Sequence, residues 1–362
     1  MTDIDCIYQS IELAEPYHTP VCFIDAHAQL QQALPKDTTL EQLQQLYYQL
    51  TLTRAMDTKA VNLQRTGQMS TYPSSRGQEA VSVGLGHAMR SDDVLCPYYR
   101  DQGAFLQRGV SVADIYNFWG GDERGSVFTN NPEDLPVCIP IAGQYLHATG
   151  VAFALKHRKQ HRAVVTTGGE GSTSKGDFYE AINLSGAWQL PVVYVINNNQ
   201  WAISVPRDQQ THCQSIAQKA IAAGFQGIQV DGNDVVAVRA CVEAALNKAR
   251  DGGGPTLIEA ICYRLCDHTT ADDATRYQNA DEVKEAWKNE PITRLAHYLE
   301  QQGAWSKQQE QALQQRVKAH IEQETQRYLQ TPAQDKQVLF DYLYGNFPDV
   351  LHDQTDELGE HA

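Results

Sequence analysis

Glu170 stands between two glycines, Gly169 and Gly171, directly after the apolar run Ala163-Val164-Val165-Thr166-Thr167. A second apolar run, 191–196, ends in Asn197-Asn198-Asn199. The 26 residues between Gly171 and Asn198 are about the length of one βαβ crossover. A carboxylate and an amide oxygen therefore arrive at the carboxyl ends of two neighbouring parallel strands, where doubly wound sheets bind ligands. With the free N–H groups of a glycine-flanked loop, these hard oxygen ligands suit Mg²⁺ bridging a diphosphate. A Gly-Glu-Gly turn alone is a common strand-to-helix connection. The Asn triplet at the next strand end is a second, independent feature pointing to the same metal site. No GxGxxG opens a helix after a strand here, which disfavours a simple dinucleotide fold.

Chemistry at strand ends needs a sheet to present it. From 163 onward the sequence alternates: strand 163–168, helix 176–189, strand 191–196, a loop, helix 214–223, strand 226–230, helix 234–250, strand 255–263. That alternation indicates an α/β fold, a doubly wound parallel sheet with helices on both faces. Upstream, Thr38-x-x-Glu41 reads as a capping box. Leu43, Leu46, Tyr47 and Leu50 follow it at helical spacing, so a helix is expected to reach Gln64 before Gly67. Small residues mark two further helices, 77–89 and 143–156, as closely packed. Residues 1–36 read as an irregular arm with one apolar patch, Val21-Cys22-Phe23-Ile24. From 281 to about 330 the chain is charged and Gln-rich, and reads as helices broken near Gly303. The last twenty or so residues are acidic and are expected to fray. The division is an arm at 1–36, one domain at 37–345 and an acidic tail at 346–362.

The chain of 362 residues is long enough to bury a large core. Its net charge of −15 argues against nucleic acid or an anionic membrane as a partner. An anionic cofactor must then be held by local charge: a metal, an Arg, a His. The acidic start MTDIDCIYQS lacks an apolar segment of the signal-peptide type, and no stretch approaches the roughly 18 apolar residues of a membrane helix. The eight Cys include no CxxC pair, so a reducing, cytoplasmic setting is expected.

The segment GEGSTSKGDFYEAINLSGAWQLPVVYVINNNQWAISVP, together with PYYRDQGAFLQRG, WGGDERG, VDGNDVVAV and RLCDHTTADDATRY, resembles a known family. That family is the alpha subunit of the heterotetrameric, decarboxylating component of 2-oxo acid dehydrogenase complexes. The likeness covers roughly 40–345. WGGDERG and the two Thr after His268 look closer to the bacterial pyruvate dehydrogenases than to mammalian branched-chain enzymes. The resemblance implies a thiamine-diphosphate-binding fold of the diphosphate type, with thiamine diphosphate and Mg²⁺ as cofactors. It also implies a small 2-oxo acid substrate, a beta subunit in an α₂β₂ assembly, and a lipoyl-bearing acyltransferase core.

By position, the resemblance makes Glu170, the Asn199 side chain and the Trp201 carbonyl metal ligands. Gly169, Gly171 and Ser172 would offer N–H groups to the diphosphate, as a loop feeding a helix N-terminus favours. Tyr99 and Arg100 match a pair that contacts the cofactor; read unaided, Tyr99 is a half-buried loop aromatic. Ile139 and Ile141 match positions that cradle the aminopyrimidine; read unaided, both are core residues. His268 matches a residue near the thiazolium and diphosphate, supplying positive charge and proton transfer. Arg264 is placed to support that loop. Asp177 and Glu180 share a helix face at i,i+3, which is either plain helix chemistry or an acidic proton path between two active sites.

The departures are specific. Asn197 stands where branched-chain relatives carry an Arg on the diphosphate. The stretch 125–135 holds no counterpart of their substrate-facing His. Cys138 and Gly143 replace hydroxyl residues of a monovalent-cation site, and Thr269 replaces a phosphorylated Ser. Two other readings are a nicotinamide-dependent oxidoreductase and a non-catalytic subunit that kept the fold.

Overall fold

The computed structural model describes residues 19–335, 338–341 and 344–360. Residues 1–18 of the arm expected at 1–36 lie outside them. Five strands form one parallel sheet in the order β1-β2-β3-β7-β6: β1 (Val94–Cys96), β2 (Val164–Gly169), β3 (Val192–Asn198), β6 (Gln226–Asp231) and β7 (Thr256–Ile261). A two-stranded hairpin, β4 (Trp201–Ala202) with β5 (Val205–Pro206), follows β3 directly.

The central strands read as unbroken apolar runs because both faces of the sheet are covered. Alternate residues part to opposite sides. Val164, Val192, Tyr194 and Leu257 join one buried cluster with Tyr145, Ala148, Phe178 and Ile182. Val165, Val193, Val195 and Ile258 join the other, with Leu50, Met56, Val83 and Val238. The first face is covered by α3 (Gly143–His157) and α4 (Gly176–Ala187). On the second, α5 (Val235–Arg250) lies against the strands, and α1 (Leu40–Arg65), α2 (Glu79–Ala88), α6 (Pro291–Gln301) and α7 (Lys307–Leu329) join the same buried cluster. The doubly wound α/β architecture is the one the sequence predicts.

Local chemistry moved several boundaries. The capping box of α1 is Thr39 with Gln42, not Thr38 with Glu41, because the Thr38 hydroxyl accepts the Arg239 guanidinium at 2.9 Å. The helix expected at 214–223 shrinks to the single turn Lys219–Ala222. There the Ala217 N–H leaves the helical ladder and donates to the Glu259 carboxylate at 3.0 Å. Strand β1 spans three residues, too few for a periodic signal, and completes the sheet beside β2.

Residues 19–36 run along the opposite edge, where Val21 bridges Val230. The Asp234 carboxylate accepts the N–H groups of Phe23 and Ile24 while capping α5 through Val236. Helices follow the sheet with a break at Gly303, as expected. The acidic tail departs from the frayed reading, since His352–Glu360 is helical. Among the described residues no helix is long and apolar enough to cross a membrane.

Candidate active site

Glu170 follows the last residue of β2 and begins a 3₁₀ turn, Glu170–Ser174, that runs into α4. Asn199 follows the last residue of β3, the strand beside β2. The crossover therefore delivers both side chains to one rim of the sheet. The Asn199 N–H donates to Glu170 Oε2 at 3.2 Å, and the Trp201 N–H donates to Asn199 Oδ1 at 3.1 Å. Glu170 is 2% exposed, yet its Oε1 has no hydrogen-bond partner among the described residues. Burial pushes its carboxyl up to about 7, opposed by backbone N–H donors and by Arg264 and Arg100. A buried carboxylate oxygen without a donor is costly unless a cation meets it.

The turn between them is closely built. A Cβ on Gly168 would fall 1.9 Å from the Tyr145 hydroxyl, and one on Gly171 would fall 2.6 Å from Ala202 Cβ. Ser172 donates to Gly169 O at 2.5 Å and shares a 2.6 Å hydrogen bond with Tyr145. Lys219, itself buried, holds the far end of the turn through Thr173 O at 2.9 Å.

Positive charge enters from two distant loops. Arg100 is buried, donates to Ser74 O at 2.9 Å and to His268 O, and lies 4.9 Å from the Tyr99 ring centroid. Arg264, fully buried, donates to Ile203 O at 2.8 Å and to the Tyr277 hydroxyl at 2.6 Å. Among the described residues no carboxylate forms an ion pair with either guanidinium; backbone carbonyls and the Tyr277 hydroxyl accept from them instead.

His268 sits between these two arginines, its Nδ1 3.2 Å from Arg100 and 3.5 Å from Arg264. A guanidinium only donates, so Nδ1 accepts and the imidazole proton lies on Nε2. Burial, then Arg100 and Arg264, push the His268 pKa down to about 3. Burial and the two guanidinium groups thus disfavour the charged imidazole, and the positive charge around it lies on Arg100 and Arg264.

Glu170, Asn199, Arg100 and His268 line one cleft of about 230 Å³, with Gly169, Ser172, Trp201 and Ile141 also on its walls, and Arg264 stands behind His268. Ile139 and Ile141 are exposed, at 49% and 43%, which corrects their reading as core residues. Asp177 and Glu180 do not line the cleft: Asp177 pairs with Lys175 at 3.1 Å, and Glu180 is exposed on α4. Glu170 is the one carboxylate on the cleft wall among the described residues.

Sequence reasoning missed three buried polar residues. Gln144 lines the cleft with an unpartnered Oε1, while its Nε2 donates to Thr167 O at 2.7 Å. Gln78 and Tyr98 form a hydrogen-bonded pair behind Asn199. Glutamines in such runs carry no spacing signal that would have found them.

Comparison with known proteins gives a consistent picture. The family described as "Dehydrogenase E1 component" matches residues 47–337. The chain is 39% identical over 351 residues to the 3-methyl-2-oxobutanoate dehydrogenase subunit alpha of Mycobacterium tuberculosis, covering 97% of this chain and 93% of the relative. It is 38% identical over 322 residues to the pyruvate dehydrogenase E1 component subunit alpha of Staphylococcus aureus, covering 89% of this chain and 87% of the relative.

Proposed function

The chain belongs to the dehydrogenase E1 component family, and from that membership we propose that it is the alpha subunit of a thiamine-diphosphate-dependent 2-oxo acid dehydrogenase. The observation that carries this reading is the buried, unpartnered Oε1 of Glu170 beside Asn199, in a cleft also lined by Arg100, a guanidinium without an ion-paired carboxylate. A diphosphate–Mg²⁺ unit answers both needs at once. Glu170, the Asn199 amide oxygen and the Trp201 carbonyl hold the Mg²⁺. The N–H groups of Gly169, Gly171 and Ser172, with Tyr99, Arg100 and His268, hold the diphosphate. Arg100 and Arg264 balance its charge from positions fixed by backbone carbonyls.

Thiamine diphosphate, when bound, supplies the nucleophile that adds to the 2-oxo carbon and the electron sink that lets CO₂ leave. This chain's part is binding, orientation and charge. Neutral His268, with its proton on Nε2, is equipped to pass a proton near the thiazolium. Ile139 and Ile141 present apolar surface toward the aminopyrimidine. Asp177 and Glu180 are proposed to shuttle protons only once the assembly surrounds them. The carboxylate that aminopyrimidine chemistry needs has no candidate on the cleft wall besides Glu170, which is committed to the metal. A beta subunit in an α₂β₂ heterotetramer supplies it, and the acyl group passes to a lipoyl group on the acyltransferase core. The seven free thiols among the described residues suit a cytoplasmic setting.

Pyruvate is the substrate favoured by the WGGDERG and His-Thr-Thr segments. A branched-chain 2-oxo acid is the second reading, because the mycobacterial relative spans nearly the whole chain. Decarboxylation of pyruvate against 3-methyl-2-oxobutanoate by the co-expressed α₂β₂ enzyme separates the two. Glu170→Ala should weaken thiamine diphosphate binding to that assembly, as read by calorimetry with Mg²⁺ present. Unchanged affinity overturns the metal assignment.

A further inference from the structure

Behind the metal ligands lies a buried residue whose bonds bear on how Asn199 is held. Gln78, 1% exposed, immediately precedes α2. Its Oε1 accepts the Asn199 Nδ2–H at 3.1 Å and the Tyr98 hydroxyl at 3.2 Å. The polarity of this chain of contacts starts at the Trp201 N–H, which can only donate. It meets Asn199 Oδ1 at 3.1 Å, so the other end of the Asn199 amide is the NH₂ group that faces Gln78. A single acceptor oxygen thereby joins three segments: the start of α2, the Tyr98-Tyr99-Arg100 loop and the Asn199 turn.

We infer that Gln78 is a positioning residue that fixes the rotation of the Asn199 amide, so that its oxygen rather than its NH₂ group is presented to the metal. The inference rests on the metal reading given above. Without an acceptor at Gln78, the Asn199 NH₂ is left buried and unpaired, and the Trp201 N–H alone holds the rotation of the amide. Residues that orient a metal ligand typically change metal affinity roughly 10- to 100-fold when removed.

The test titrates Mn²⁺ into the co-expressed α₂β₂ protein with thiamine diphosphate, following free Mn²⁺ by its paramagnetic signal, which does not depend on turnover. Gln78→Leu should weaken Mn²⁺ binding by roughly 10- to 100-fold. Gln78→Glu keeps an acceptor at the same reach and should restore most of the loss. Turnover of Gln78→Leu should recover at saturating Mg²⁺, as expected of a ligand misplaced rather than removed. If Gln78→Leu does not assemble, Gln78→Met, which keeps the chain length, is read the same way. Glu170→Ala, run alongside, separates the outcomes. Weakened binding in Glu170→Ala with unchanged binding in Gln78→Leu overturns the positioning role, as does a Gln78→Glu protein as weak as Gln78→Leu. Unchanged binding in both variants overturns the metal site itself, and the positioning role with it.

Discussion

His268 shows how much a neighbourhood alters one side chain. Its pKa is lowered from 6.5 to about 3, first by burial and then by Arg100 and Arg264. The folded state therefore excludes the proton. The stability this confers is fully present above pH 6.5 and is lost as pH falls from there toward 3. Two outcomes follow. In the cofactor-free protein the His268 ring resonances should stay fixed between about pH 5 and 8, where an ordinary imidazole titrates; a midpoint near 6.5 in the NMR titration would refute the two-arginine environment. His268→Gln should also flatten the acid limb of the unfolding-versus-pH curve between pH 6.5 and about 3. Bound diphosphate adds negative charge beside the ring, so cofactor binding should raise the His268 pKa, visible as proton uptake in acidic buffer.

At the scale of elements, the turn from β2 into α4 depends on absent side chains. Gly168 leaves room for the buried Tyr145, whose hydroxyl holds Ser172. Gly168→Ala drives its new Cβ to within 1.9 Å of that hydroxyl and 2.8 Å of Tyr145 Cζ. Overpacking of this kind costs about 1–3 kcal/mol. Thermal unfolding of Gly168→Ala should show that loss. Tyr145→Phe in the same background removes the nearest clashing atom and should recover part of it, so the two changes are non-additive. Strict additivity would mean that the turn relaxes without touching Tyr145. The Thr39–Gln42 box carries a related lesson. The sequence reading put the cap on Thr38, but a guanidinium from α5 occupies that hydroxyl and the cap falls on Thr39.

At the scale of the molecule, the proposed function makes the cleft half of a site. Ile141 and Ile203 line it and remain 43% and 56% exposed, and Val205 in the adjoining hairpin is 41% exposed. Apolar side chains at the mouth of a charged cleft favour a covering partner. The chain purified alone should show no 2-oxo acid decarboxylation, and activity should appear on mixing with its beta subunit. Hydrogen exchange at 139–142 and 203–206 should slow on mixing; turnover by the lone chain, or unchanged exchange in an active mixture, counts against the half-site arrangement. The sequence by itself determined the alternation of the main strands and helices from 163 onward, the sheet rim where Glu170 and Asn199 arrive, and the family. Those features are written in local periodicity and in the length of one crossover. Only the tertiary structure decided that Arg100 and Arg264 converge from loops far apart in the chain, that His268 between them is neutral, and that Gln78 stands behind Asn199. It also decided that Ile139 and Ile141 face outward. Burial and the field of neighbouring charges are properties of the packed chain, and no spacing along the sequence encodes them.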